Sequence, residues 1–171
     1  MARETATTKK TEKTERLSIR YVSVVTSSII ILPVAGCIAE YCSKDTPVTF
    51  EVFSKWFIFS AVGLRLFLAG FKQVTDPAFT ANEIFHIEGS ASNPVVRELG
   101  FANICFGLVG IISLFLPAWR IVSGFASGLY YGMAAALHLI KKPAGMNEKF
   151  ALASDIVIFL ILAIYVIMQL P

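Results

Sequence analysis

Charge is what this chain has least of. Only 16% of its 171 residues are Asp, Glu, Lys or Arg, while 56% are hydrophobic, and a soluble domain carries about 25% charge. That shortfall excludes an ordinary water-exposed surface over most of the chain. Cysteine is scarce as well. Cys37, Cys42 and Cys105 make neither a disulfide framework nor a metal-ligand spacing, and Cys37 and Cys42, five apart, fall on opposite sides of a helix. Histidine occurs twice, as His86 and His138. His138, Asp155 and Glu98 are metal-ligand types, but no second histidine stands at ligand spacing, so no metal is expected. Also missing are a phosphate loop, a dinucleotide glycine fingerprint, a histidine pair at haem spacing and a nucleophile motif. These absences argue against a self-contained enzyme. The net charge is +3, and six of the 15 basic residues precede residue 21. The excess is therefore a tail, and no nucleic-acid partner is expected.

What is present is apolar sequence in long blocks, the signature of membrane spans. Five are read, at about 21–41, 54–72, 95–116, 119–140 and 149–170, with four as the fallback. The second holds Arg65 and the fifth holds Asp155, and either charge at a helix centre costs about 2.5–3.5 kcal/mol. Both lie off-centre, where the cost falls. Leu116-Pro117-Ala118-Trp119-Arg120 is a tight connection that makes the third and fourth spans a helical hairpin. Trp56 and Trp119 read as interface anchors. Between the second and third spans, Asp76-Pro77 starts a short helix and Gly89 ends it. Its Phe79, Ile84, Phe85 and Ile87 suit a membrane surface. Residues 1–18 are poor in large apolar types and read as a disordered basic cytoplasmic tail, with 19–171 as the transmembrane domain. The fold class is all-α: an integral membrane helix bundle with four core transmembrane helices plus one N-terminal transmembrane helix.

Lys and Arg give the orientation. With five spans, the N-terminal tail, the long loop and the 141–149 loop together hold eleven, and the other side holds Lys44, Lys55 and Arg120. The N-terminus is then cytoplasmic and the C-terminus outside, in the cell's inner (plasma) membrane. This orientation brings Arg65, Glu98, Asn103, His138 and Asp155 within about 10 Å of the cytoplasmic boundary, at 1.5 Å per helical residue. These five are the candidate polar pocket, because ionisable groups inside a bilayer are paired or functional. Arg65 would neutralise Asp155 or Glu98 or hold an anionic ligand, and His138 would donate or relay a proton. The competing readings are a structural polar network that pins helix packing and unrelated interfacial residues.

Glycine marks the packing faces. Gly100, Asn103, Gly107 and Gly110 share one side of the third span, and Gly124, Gly128 and Gly132 recur every four residues in the fourth. Joined by a tight turn, these two grooved helices are expected to pack on each other. Val34-Ala35-Gly36-Cys37 resembles a lipoprotein cleavage box. The lead-in is long for a signal peptide and the apolar run continues past Cys37, which argues against cleavage there.

Gly63-Leu64-Arg65-Leu66-Phe67-Leu68-Ala69-Gly70-Phe71-Lys72, followed by Asp76-Pro77, resembles the first core helix of DoxX-like membrane proteins. Arg97-Glu98-Leu99-Gly100-Phe101-Ala102-Asn103, then His138 and Asp155, look more like a set of uncharacterised five-helix bacterial membrane proteins. Phe71-Lys72 stands where many DoxX-like proteins carry a histidine. The resemblance implies a four-helix bundle plus one helix, and for some relatives quinone-linked oxidation of sulfur compounds or a place in a membrane redox complex. No catalytic residue carries over.

The leading expectation is therefore a binding or accessory subunit in the lipid bilayer, with a cytoplasm-facing intramembrane polar pocket and no cofactor. The first alternative is a quinone-linked oxidoreductase subunit with a membrane redox partner, in which quinone is the cofactor. The second is a small-solute transporter. A homo-oligomer is compatible with the glycine faces.

Overall fold

The computed structural model describes residues 17–83, 87, 89–141 and 145–170. Among them, all regular structure is helical. The helices are α1 (Ile19–Lys44), α2 (Phe50–Thr75), α3 (Pro77–Glu83), α4 (Asn93–Ile112), α5 (Ala118–Lys141) and α6 (Met146–Gln169). Four of these, α1, α2, α4 and α6, are long and apolar enough to cross a membrane. At 24 residues α5 equals α6 in length. Its Gly, Ser and Tyr content dilutes its hydropathy.

Local chemistry sets several helix ends. Ser18 caps α1 by accepting from the Tyr21 amide, and Thr49 caps α2 by accepting from the Val52 amide. The chain leaves α1 through Asp45, in the left-handed region at φ 51°, a conformation that Asp tolerates better than most residues. The third apolar block was expected to stay helical to about 116, but α4 ends at Ile112. Leu114 and Phe115 donate instead to Ile111 and Ile112. A proline restricts the residue before it to extended backbone, and Pro117 follows directly.

The core lies around α2. Phe57, Ile58, Ala61, Val62 and Leu66 pack with Tyr131 of α5 and with Ile158, Leu162 and Tyr165 of α6. Helix α4 covers another side of α2, α5 and α6 form an extensive pair, and α1 lies alongside α2 and touches α6. Short α3 packs on α2 and α4 and buries Ala81 completely, while Phe79 stays partly exposed. The expected surface helix continues in sequence through Ile84, Phe85 and His86, which lie outside the described residues, as do residues 1–16 of the tail.

The glycine faces do not meet each other as expected. Those of α4 receive α2 in antiparallel register. A Cβ added to Gly110 would lie 2.7 Å from Gly63 Cα, and one on Gly107 would lie 2.5 Å from the Phe67 amide nitrogen. One on Gly70 would lie 2.5 Å from the Gly100 carbonyl oxygen. The glycines of α5 instead receive side chains of α6: Tyr165 at Gly124, Leu162 at Gly128 and Phe159 at Gly132. The reason is complementarity. Gly63 and Gly70 on α2 let two backbones come together against α4, whereas the bulky side chains of α6 fill the groove of α5.

Helices α1 and α2 each contain a widened π-type stretch, at Ser27–Ile31 and Ile58–Leu64. The two face each other, and Ser60 Oγ, one residue of the second stretch, donates to the Ser28 carbonyl at 2.8 Å. Cys37 is buried within the continuous α1 helix, next to Gly36, over which the Trp56 ring lies. Cys42 is exposed.

Candidate functional site

Arg65 follows the π-type stretch of α2 directly and is buried to 9% residual exposure. Such stretches add a residue to the turn, re-aim the side chains that follow, and are frequent at functional sites. Arg65 Nη2 donates to Asp155 Oδ1 and to Ser154 Oγ, both at 3.0 Å. Its guanidinium carbon lies 5.2 Å from the centre of the Tyr131 ring, a cation–π contact. The Tyr131 hydroxyl donates to the Ala61 carbonyl at 2.9 Å. The Tyr21 phenol, on α1, borders the same guanidinium. Side chains from four helices thus enclose one ion pair.

The remaining candidates line up beside this centre. Asn103 Nδ2 donates to Gln73 Oε1 at 2.7 Å. The Tyr130 phenol lies next to Asn103, and its ring stacks on Phe106 at 5.4 Å. His138 Nδ1 lies 3.3 Å from Glu148 Oε1, within electrostatic range of Asp155. The result is a close-packed polar seam from Gln73 through Asn103 and the two tyrosines to Arg65 and Asp155, and on toward His138. The expectation of one pocket formed by five residues needs correction at Glu98, which is exposed. Two residues before Gly100 on a 3.6-residue turn, Glu98 points away from the buried Gly100–Asn103 face. His86, the other histidine, lies outside the described residues.

Sequence reasoning missed several partners. Gln73 and Glu148 lie at the ends of the apolar blocks, where polar residues are ordinary. Their signal was position alone: Gln73 shares the end of its helix with Lys72, and Glu148 faces His138 across the α5–α6 turn. At the opposite end of the bundle, Glu40 Oε2 accepts from Lys55 and, at 2.8 Å, from Trp56 Nε1. That cluster joins α1 to α2, so Trp56 is held by a partner within the protein.

Two features of Arg65 remain unused by these contacts. Its Nη1 is buried and makes no hydrogen bond of normal geometry, with the Tyr21 phenol as its neighbour. In addition, Arg65 lines a cleft of about 260 Å³ between α1 and α2, with Ser23, Val24, Ser27, Ser28, Leu32, Leu64 and Leu68.

Among the described residues, an all-helical bundle with four helices long and apolar enough to cross a membrane defines the class: a helical membrane protein. The chain belongs to a family of unknown function, DUF6790, whose model matches residues 23–170. No curated protein and no solved structure shows a significant match to it.

Proposed function

We propose that this is a multi-pass binding or accessory subunit of the inner membrane, with its N-terminus in the cytoplasm and the Arg65–Asp155 centre as its ligand anchor. Five crossings, with α5 included, account for the concentration of Lys and Arg on one side. The observation that carries the reading is incomplete hydrogen bonding around that centre. A buried polar group without a partner costs about 1–3 kcal/mol. Arg65 Nη1 and, in the same seam, Asn103 Oδ1 both lack a well-formed hydrogen bond, and an incompletely satisfied buried charge beside Tyr21 suits a site that accepts a visitor.

The test is purification of the full chain from its own membranes into lipid nanodiscs. A bound small molecule or partner protein is expected in stoichiometric amount with the wild type, and at much reduced amount with Arg65→Lys, which keeps the charge but loses the planar fork. Wild-type protein that carries neither would contradict the proposal.

The cleft favours a second reading. The resemblance to DoxX-like proteins suggests a quinone-linked redox subunit, and that role requires a site reached from the lipid. Quinone reduction in membranes that survived Arg65→Ala and His138→Ala would exclude it.

A further inference from the structure

Four buried serines of the bundle turn back on their own helices. Ser28, Ser60, Ser113 and Ser154 donate to carbonyls three or four residues earlier, at 2.7–2.9 Å, a common habit of serine within a helix. Ser54, Ser123 and Ser127 do not. Each is at most 1% exposed, and the hydroxyl of each has no hydrogen-bond partner among the described residues.

The register of the helices brings these three together. Arg120 Nη1 of α5 lies 4.0 Å from Glu51 Oε1 of α2 where both helices begin. Farther along, the Tyr131 hydroxyl of α5 reaches the Ala61 carbonyl of α2. The two contacts set α2 and α5 side by side and running in the same direction. Ser54 and Ser123 each follow the first contact by three residues, and Ser127 precedes Tyr131 by four. Residues at such spacings share a helix face, so the three hydroxyls stand between the two contacts on the faces that meet. Lys55, the one other charge on α2 in this stretch, is turned to Glu40 of α1. Beyond Tyr131 the polar groups continue through Arg65 and Asp155 to His138, which pairs with buried Glu148 at the far end. Polar side chains thus follow the bundle from one end to the other.

The chemistry of the hydroxyls selects the ligand. A serine hydroxyl donates one bond and accepts two, and buried water settles where two to four polar groups converge. A charged solute would find no compensating group among three hydroxyls. An arginine in a pore excludes protons, but Asp155 at 3.0 Å offsets the charge of Arg65. We propose that Ser54, Ser123 and Ser127 bind a file of water joining Glu51 to Tyr131, and that this file, Tyr131, Asp155, His138 and Glu148 pass protons across the membrane. Only O–H and N–H bonds change. A proton enters from bulk water at Glu51, and each water of the file takes one proton and gives up another. The Tyr131 hydroxyl does the same, Asp155 holds the proton transiently, and it leaves through His138 and Glu148. One positive charge crosses with each proton. The inference is independent of any ligand at Arg65.

Proton flux into liposomes tests it. The full chain is reconstituted with a pH dye inside, and a potassium diffusion potential set by valinomycin drives protons inward. Acidification well above that of protein-free vesicles is expected. Ser123→Ala and Ser127→Ala should each slow it about tenfold, the effect of one lost hydrogen bond on a barrier. Ser127→Thr keeps the hydroxyl and should keep most of the flux. Ser113→Ala removes a hydroxyl already bonded to its own helix and should change nothing. Water-edited NMR in bilayers reads the file itself: transfer from water protons should be fast to Ser123 and Ser127 and slow to Ser113. Flux no higher than in protein-free vesicles would overturn the proposal, as would flux that both column alanines leave intact. So would water transfer no faster than at Ser113. Equal loss of flux in Ser127→Thr and Ser127→Ala would trace the effect to packing and contradict it as well.

Discussion

Arg65 Nη2 and Asp155 Oδ1 meet at 3.0 Å although 90 residues of chain separate them. The contact ties α2 to α6 at the centre of the bundle, with both side chains only about 10% exposed. In a low-dielectric interior, each charge is tolerable only because the other is present.

Breaking that pair on one side should therefore cost more than removing it. Arg65→Met or Asp155→Leu alone should each destabilise the bundle by about 3–5 kcal/mol, and the double replacement should recover most of the loss. Reversible unfolding in mixed micelles, arranged as a double-mutant cycle, measures the coupling.

Gly70 on the α2–α4 contact and Gly128 on the α5–α6 contact should respond differently to the same substitution. At Gly70 the added methyl group would meet the Gly100 carbonyl oxygen and, at 2.8 Å, the Ile104 amide nitrogen, neither of which can move aside. Gly70→Ala should cost about 1–3 kcal/mol by overpacking. At Gly128 the nearest atom is Leu162 Cβ at 3.4 Å, an ordinary contact. Gly128→Ala should be neutral, or stabilising by about 0.5–1 kcal/mol through the better helix propensity of alanine. Thermal unfolding of the two variants side by side checks the contrast.

The Asn103–Gln73 hydrogen bond should show the asymmetry of buried polar pairs. Both residues are buried, and Nδ2 to Oε1 is 2.7 Å. Asn103→Leu should cost about 1–3 kcal/mol by stranding the Gln73 amide, and Gln73→Leu added to it should restore part of that. The same unfolding assay reads it.

At the end of α2, the Lys72 ammonium lies 2.6 Å from Asp76 Oδ2 and holds that carboxyl below the usual aspartate range. A depressed carboxylate contributes above its ordinary value, and the contribution disappears as pH falls through the lowered one. The pair is half exposed, so global stability should change little. Lys72→Ala should instead move the Asp76 titration upward, toward the ordinary aspartate range. The carboxyl carbon shift followed by NMR reports it directly.

Much of the helical layout could be read from the chain because apolar blocks, Pro117 and the polar turns each act locally. The ion pair could be read as well: Arg65 and Asp155 are opposite charges in separate apolar blocks, and bilayer energetics drive them together. The choice of neighbour could not. Gly107 and Gly128 announce narrow helix faces, yet only three-dimensional packing shows that one receives Phe67 of α2 and the other Leu162 of α6. The short connection at Pro117 does make α4 and α5 neighbours, with Phe106 stacked on Tyr130, but adjacency along the chain does not decide which faces meet. The π-type stretches before Leu32 and Arg65 are equally silent, since Ser27–Ile31 and Ile58–Leu64 are ordinary apolar helix sequence. Glu98 was misplaced because depth was judged without the helical phase.

The most direct test of the central claim is a dipolar recoupling measurement in lipid bilayers, with ¹⁵N in the Arg65 guanidinium and ¹³C in the Asp155 carboxyl. Strong dephasing is expected, as for groups in direct contact, and it should vanish in Asp155→Asn labelled at arginine alone. No dephasing in the wild type, together with relaxation of Arg65 by a paramagnetic lipid, would place that side chain against the bilayer and contradict the account.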